Sequence, residues 1–337
     1  VMSYAGGETA ALEAGTCRPY RIIQLGFGLE GVDGAEKRQA LIEESVEALL
    51  APRLPLGARW VPDERQAITL PGERYFYELN VQNMSEIMTD TFDLRVEAYP
   101  WQTSLMTTTL KLGPCAVGQT LLAVDVPPDA ALDQLKDLRV SAISRSDSGV
   151  KATFVMTQKT PGDILLVDDD RFYEREGAYK EALERLGYTF DVWDTKPDNQ
   201  ELGGPPAKLL QAYETVLWFS GYDWFAPIRQ TENAALTHYM ENGGRLFLSS
   251  QDYLHYNWDT ALTRDHLGVV AYQELVTPTA VFADPELALP SSLAGPVPLD
   301  YEPYQNFSDG IIPQAGSVPF MWQDTGLLGA VAYAGPS

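Results

Sequence analysis

The chain changes character at Thr160–Asp170, TPGDILLVDDD. Ile164 to Val167 form an unbroken apolar run closed by three aspartates, the pattern of a short parallel strand buried on both faces. Downstream, YEREGAYKEALERLGY sets Tyr179, Ala182, Leu183 and Leu186 on one helical face, with Gly187 as the stop. TFDVWD, ETVLWFSG and RLFLSS then read as strands, and PPAKLLQAY and TENAALTHYMENGG as the helices between them. Alternation of this kind predicts an α/β unit over 161–337, an open and mostly parallel sheet with helices on both faces. Beyond Asp252 the helical signals fade, and SVPFMWQ and LLGAVAYAG read as strands.

Upstream of the boundary the period is two. RYFYELNVQN, DTFDLRVEAY, LRVSAISR and KATFVMTQ are short alternating runs separated by Pro, Gly, Asn, Asp and Ser clusters. Each such strand has one apolar face, and about seven of them bury those faces best as two stacked antiparallel sheets. Residues 53–160 are therefore expected to form an immunoglobulin-like β-sandwich, and the fold class is α/β plus all-β.

Residues 1–52 fit neither half. YRIIQLGFGL reads as one strand and GAEKRQALIEESVEALL as one amphipathic helix, a pair that makes no core alone. The unit over 161–337 ends on a strand with no following helix, which predicts an open edge. Residues 20–50 are expected to supply the missing strand and helix, in the same chain or in a neighbour. Tyr333-Ala334-Gly335 also lies 329 residues after Tyr4-Ala5-Gly6, which suggests a parent built as a tandem array of that period.

With 337 residues the chain is long enough for two domains, and 47 acidic against 24 basic side chains give a net charge of −23. That field repels phosphate backbones and anionic lipid, so nucleic acid is excluded as a partner, and no apolar stretch reaches the length of a membrane span. The chain opens on Val1, from which removal of something upstream is expected. Cys17 and Cys115 lie in AGTCRP and LGPCAV without metal-ligand spacing; they form one disulfide or remain two small unpaired side chains. The sequons at Asn83 and Asn306 are compatible with export.

ILLVDDD, LGYTFDVWD, LWFSGYDW, YMENGGRLFLSSQDYL and YQNFSDGI together resemble a class I glutamine amidotransferase-like domain, of flavodoxin-like α/β type, as found in large secreted bacterial proteins beside immunoglobulin-type modules. In that family such a domain closes with a segment like residues 20–50. The resemblance implies a nucleophilic Cys on the turn after RLFLSS, where this chain has Ser249 and Ser250, and no Cys follows Cys115. The amidotransferase reaction is thus excluded.

A residual serine hydrolase would rest on Ser250 and His255, but LSSQD lacks the glycines that relieve a nucleophile elbow. His238 and His266 have no paired ligand or base. Asp168, Asp169 and Asp170 either hold a hard cation at the strand end or cap the next helix and face water. The glycines of Gly26–Gly34 lack the register of a dinucleotide site, so no cofactor is expected. Tyr222, Trp224, Phe225, Tyr253 and Tyr256 should gather at the carboxyl edge of the sheet, either as a stacking surface for sugar or protein or as loops packed on the rim.

These readings converge on a non-catalytic extracellular or cell-surface structural unit. It would self-associate head to tail through residues 1–52 and the C-terminal unit into a filament, sheath or layer. The alternatives are an accessory region of a secreted peptidase or adhesin that binds carbohydrate or protein, and the residual hydrolase.

Overall fold

The structure is a computed structural model and describes residues 2–3, 9–14, 16–18, 20–196, 202–225, 227–287, 293 and 295–335. The echo at Tyr4–Gly6 lies outside them. The chain divides into two compact units, one of residues 1–131 and 135–159, the other of 132–134 and 160–337.

The first unit opens with β1 (Met2–Ser3), β2 (Thr9–Ala14) and β3 (Ile22–Leu25), paired in that order, followed by α1 (Ala35–Leu50). Then come β4 (Ala58–Trp60), β5 (Glu64–Ile68), β6 (Arg74–Asn83), β7 (Asp90–Val96), β8 (Gln102–Leu105), β9 (Thr109–Leu112), β10 (Val117–Asp125), β11 (Leu135–Ser144) and β12 (Lys151–Lys159). They build two sheets, β4-β6-β10-β8 and β5-β12-β11-β7-β9, antiparallel except where β5 joins β12. Alternation sends Tyr77, Leu79 and Val81 of β6, Leu138, Val140 and Ala142 of β11, and Phe154 and Met156 of β12 into one shared core with Trp60, Phe92 and Leu122. This is the immunoglobulin-like β-sandwich expected from the period-two runs.

The second unit begins with β13 (Ile164–Asp168), every residue of which is buried, then α2 (Glu176–Leu186), β14 (Phe190–Asp194), α3 (Ala207–Leu210), β15 (Thr215–Gly221), α4 (Gln230–Glu241) and β16 (Arg245–Ser250). Gly187 ends α2 at φ 77°, a left-handed conformation that glycine enters without steric cost. The four strands are parallel in the order β14-β13-β15-β16. Past the short α5 (Tyr253–Asn257) the chain forms β17 (Val269–Gln273), β18 (Ala280–Ala283), β19 (Val297–Pro298), β20 (Gly310–Pro313), β21 (Val318–Gln323) and β22 (Leu328–Ala332). These pair antiparallel in the order β17-β20-β22-β21-β18-β19.

Three expectations are corrected here. The unit is not the open, mostly parallel amidotransferase-like fold: parallel pairing stops at β16, the larger sheet is antiparallel, and helix makes up 19% of the chain. The physical reason lies after Ser250, where α5 spans only 5 residues and the remaining apolar runs have strand period. The C-terminal strand leaves no open edge, because β22 sits between β20 and β21. Residues 20–50 do not complete the second unit within the chain, since β3 pairs with β2 and, among the described residues, no strand of 1–52 enters either sheet of that unit.

α1 is fastened at its end instead of along its length. Arg21 donates from Nη1 to the carbonyls of Ala48 (3.3 Å) and Ala51, satisfying acceptors that a helix C-terminus leaves orphaned, and its Nη2 lies 3.5 Å from Glu86. No residue of α1 is buried.

Candidate functional site

The carboxyl ends of β13 and β15 bring together four buried carboxylates, Asp168, Asp169, Asp170 and Asp223. Asp169 accepts from the Thr195 hydroxyl at 2.9 Å and from Trp218 Nε1 at 3.0 Å. Burial, reinforced by the charge of Glu232, raises its pKa to about 8. Burial and then the neighbouring Asp170 raise Asp168 to about 7. Asp170 Oδ2 accepts the Arg175 amide at 2.7 Å, shaping the turn that enters α2, and burial raises its pKa too. Each carboxylate of the DDD run is thus occupied by a structural bond, and no group of three or more His, Cys, Asp or Glu among the described residues converges as metal ligands do.

Asp223 is held by Arg171 Nε at 2.6 Å, yet burial still raises its pKa. Asp309 is lifted to about 7 and Asp252 to about 6, each chiefly by burial.

Aromatic side chains surround this cluster. Trp224 and Phe225 stand 54% and 56% exposed with ring centroids 5.9 Å apart, and Tyr256 meets Phe225 at 6.2 Å. Tyr222 packs against Tyr304 at 4.4 Å and Tyr173 at 5.6 Å, and the Arg175 guanidinium lies 5.1 Å from the Tyr222 ring centroid. Tyr253 is not part of the rim. The turn of α5 points it inward, where it is 2% exposed and donates to Asn233 Oδ1 at 2.7 Å.

Ser250 and His255 are not brought together as a catalytic pair. Ser250 Oγ accepts from Ser220 Oγ at 2.7 Å, while His255 Nδ1 is 2.8 Å from Glu274 Oε1. The Glu274 hydrogen bond raises the His255 pKa and Glu274's own is lowered, as in an exposed ion pair. His238 is exposed, beside Asn242. Gly26–Gly34 runs from β3 into α1 through a short turn at Leu29–Gly31, joining the strand and the helix expected of this segment.

Cys17 and Cys115 form a disulfide with Cα atoms 5.2 Å apart, tying the N-terminal segment to the loop before β10. The sequon asparagine Asn83 is fully buried, whereas Asn306 is half-buried and donates to the Pro278 carbonyl at 2.7 Å.

Sequence reasoning missed Tyr301, Tyr304, Tyr173 and Arg175, as well as Asp223, Asp252 and Asp309. Tyr301 and Tyr304 stand in a loop without periodicity, so nothing local marks them. The one available signal was the number of aromatic and acidic residues following strand ends.

No family model matches the chain, and no curated protein matches it. Among solved structures, it is similar to the ASH/PapD-like domain 7 of human CEP192, at 14% identity over 32% of this chain and 87% of that one, with a TM-score of 0.25. It is also similar to a FixG-related protein from Vibrio parahaemolyticus, at 13% identity over 32% of this chain and 96% of that one, TM-score 0.24. The secreted serine protease VesC from Vibrio cholerae matches at 12% identity over 32% of this chain and 24% of that one, TM-score 0.26. At these scores the likenesses carry no argument, and the sandwich stands on its two stacked sheets. The amidotransferase resemblance gains nothing from them.

Proposed function

We propose that the chain is a non-catalytic, exported structural unit that joins copies of itself head to tail, β3 and α1 of one copy extending the parallel sheet of the next. One observation carries this: two matching surfaces lack a partner among the described residues. β3 and β16 each end a sheet, so each has a free edge that a strand can join. α1 exposes Ile42, Val46 and Leu49 at the spacing of a single helical stripe, and β16 exposes Phe247, 51% accessible. Parallel addition of β3 to β16 brings α1, which follows β3 directly, over the sheet face that carries Phe247.

Such a contact uses two different surfaces, so it repeats from copy to copy and builds a filament, sheath or layer unless the rotation closes. Export is supported by the Cys17–Cys115 disulfide, which persists in oxidising compartments. Absence of catalysis is supported by the separate bonding of Ser250 and His255. Neither assembly nor export calls for a cofactor. Sedimentation velocity tests the reading: the wild type forms concentration-dependent oligomers and Val46→Glu remains monomeric. Wild type that stays monomeric at high concentration overturns it.

A second reading is favoured by the exposed Trp224, Phe225 and Tyr256. That rim suits an accessory region that binds carbohydrate or protein. It predicts a glycan-array or pull-down signal that disappears in Trp224→Ala.

A further inference from the structure

β3 and α1 carry the self-association surface, yet little holds them in shape. No residue of either is buried, so neither rests on an apolar core. A helix of 16 residues is marginal in water without such packing, and a small exposed sheet is no firmer. The Cys17–Cys115 bridge and the ion pair of Arg21 with Glu86 fasten the segment to the sandwich. Cys17 stands just ahead of β3, and Cys115 just ahead of β10.

Both half-cystines sit at positive φ, 61° for Cys17 and 58° for Cys115, the left-handed region that residues with a Cβ seldom enter. A cross-link between two such residues holds each loop against its backbone preference, and opening it lets both relax. Both residues are only half-buried, which leaves the bridge open to attack from solvent.

We propose that this bridge is a redox latch: a dithiol reductant that opens it loosens β3 and α1 and switches off head-to-tail association. One thiolate of the dithiol attacks a bridge sulfur, forming a mixed disulfide and releasing the other cysteine. The second thiol of the reductant then displaces the remaining cysteine. Two electrons and two protons pass to the chain, so Cys17 and Cys115 become thiols while the dithiol becomes a disulfide. One ion pair, Arg21 with Glu86, then remains, too little to replace a covalent tie. Association weakens because the ordering that the bridge supplies in advance falls to the assembly step. The proposal rests on the first reading above, that β3 and α1 join the next copy.

The test treats the full chain with dithiothreitol under native conditions, blocks the new thiols with iodoacetamide and confirms by mass that both are modified. Amide hydrogen exchange and sedimentation velocity are read beside the untreated chain and beside Cys17→Ser/Cys115→Ser. In the opened chain and in the variant, α1 amides are expected to exchange at least about tenfold faster while the sandwich keeps a cooperative thermal transition. Self-association should weaken at least about tenfold in both. A bridge that resists dithiothreitol in the folded chain overturns the proposal, as does α1 exchange unchanged after opening. Faster exchange with association unchanged also overturns it. Loss of the sandwich transition overturns it by showing that the bridge holds the sandwich instead. An untreated chain that never associates ends the assembly reading, and exchange in α1 separately decides the latch.

Discussion

Ser250 Oγ takes a hydrogen bond from Ser220 Oγ across 2.7 Å, joining the ends of β16 and β15. Among the described residues no hydrogen bond joins Ser250 to a base, and the hydrogen bond of the His255 imidazole goes to Glu274. A fluorophosphonate probe is therefore expected to leave Ser250 unlabelled. Ser250→Ala should cost about 1 kcal/mol in denaturant unfolding, the worth of one partly buried hydrogen bond. Labelling at Ser250 would restore the hydrolase.

The two units should respond to pH with opposite sign. In the second unit Asp168, Asp169 and Asp309 keep their protons up to about pH 7, 8 and 7, because burial disfavours their charge. An unfolded chain releases such protons near pH 3.9, approximately. The folded state then binds more protons between these values, so its stability is greatest in acid and is lost as pH rises through 7 to 8. In the sandwich, burial works to raise the Asp90 pKa, but hydrogen bonds from Ser144 and Ser146 outweigh it and the pKa is lowered. Its contribution is present above the usual aspartate range and lost as pH falls through the lowered value. Calorimetry at pH 5 and 8.5 should show the second unit's transition moving down at the higher pH, and Asp169→Asn should shrink that movement.

Asn83 is a structural clasp and not a glycan acceptor. Its Nδ2 donates to the carbonyls of Met88, Leu112 and Gly113 at 3.0 Å each, and its Oδ1 accepts the Ser85 amide at 2.9 Å. Asn83→Ala leaves those buried groups without partners and should cost about 2–4 kcal/mol. Expression in a glycosylating host should yield no glycan at Asn83, as read by intact mass.

The Cys17–Cys115 bridge spans 98 residues of sequence. Closing a loop of that size restricts the unfolded chain, and Cys17→Ser with Cys115→Ser should lower stability by about 2–4 kcal/mol. The same pair of substitutions leaves the Arg21–Glu86 ion pair as a tie from residues 20–50 to the sandwich, so protease should then cut within that segment first.

Legibility in the sequence followed the range of the interactions. Alternation along Arg74–Asn83 and Lys151–Lys159 reported the sandwich core because each strand's inward face is written in its own residues. The unbroken Ile164–Val167 run likewise reported a strand buried on both sides. β20 and β22 were not legible as neighbours, because Ile311 and Leu328 meet through a pairing that no local period encodes. At the candidate site, Trp224 and Phe225 followed from their position after a strand. Tyr304 reaches Tyr222 from 82 residues away, beyond any local signal. Tyr253 failed for a different reason: a helix of 5 residues is too short for its inward face to show as a period.

Self-association through unlike surfaces has a signature that no symmetric dimer shares. Val46→Glu spoils α1 and leaves β16 intact, while Phe247→Glu does the reverse, so each variant alone should sediment as a monomer. Mixed in equal amounts, they should form heterodimers that stop at two chains, while wild type continues to longer species. Sedimentation velocity of that mixture is the most direct measurement. A discrete heterodimer supports the head-to-tail contact, and a mixture that remains monomeric contradicts it.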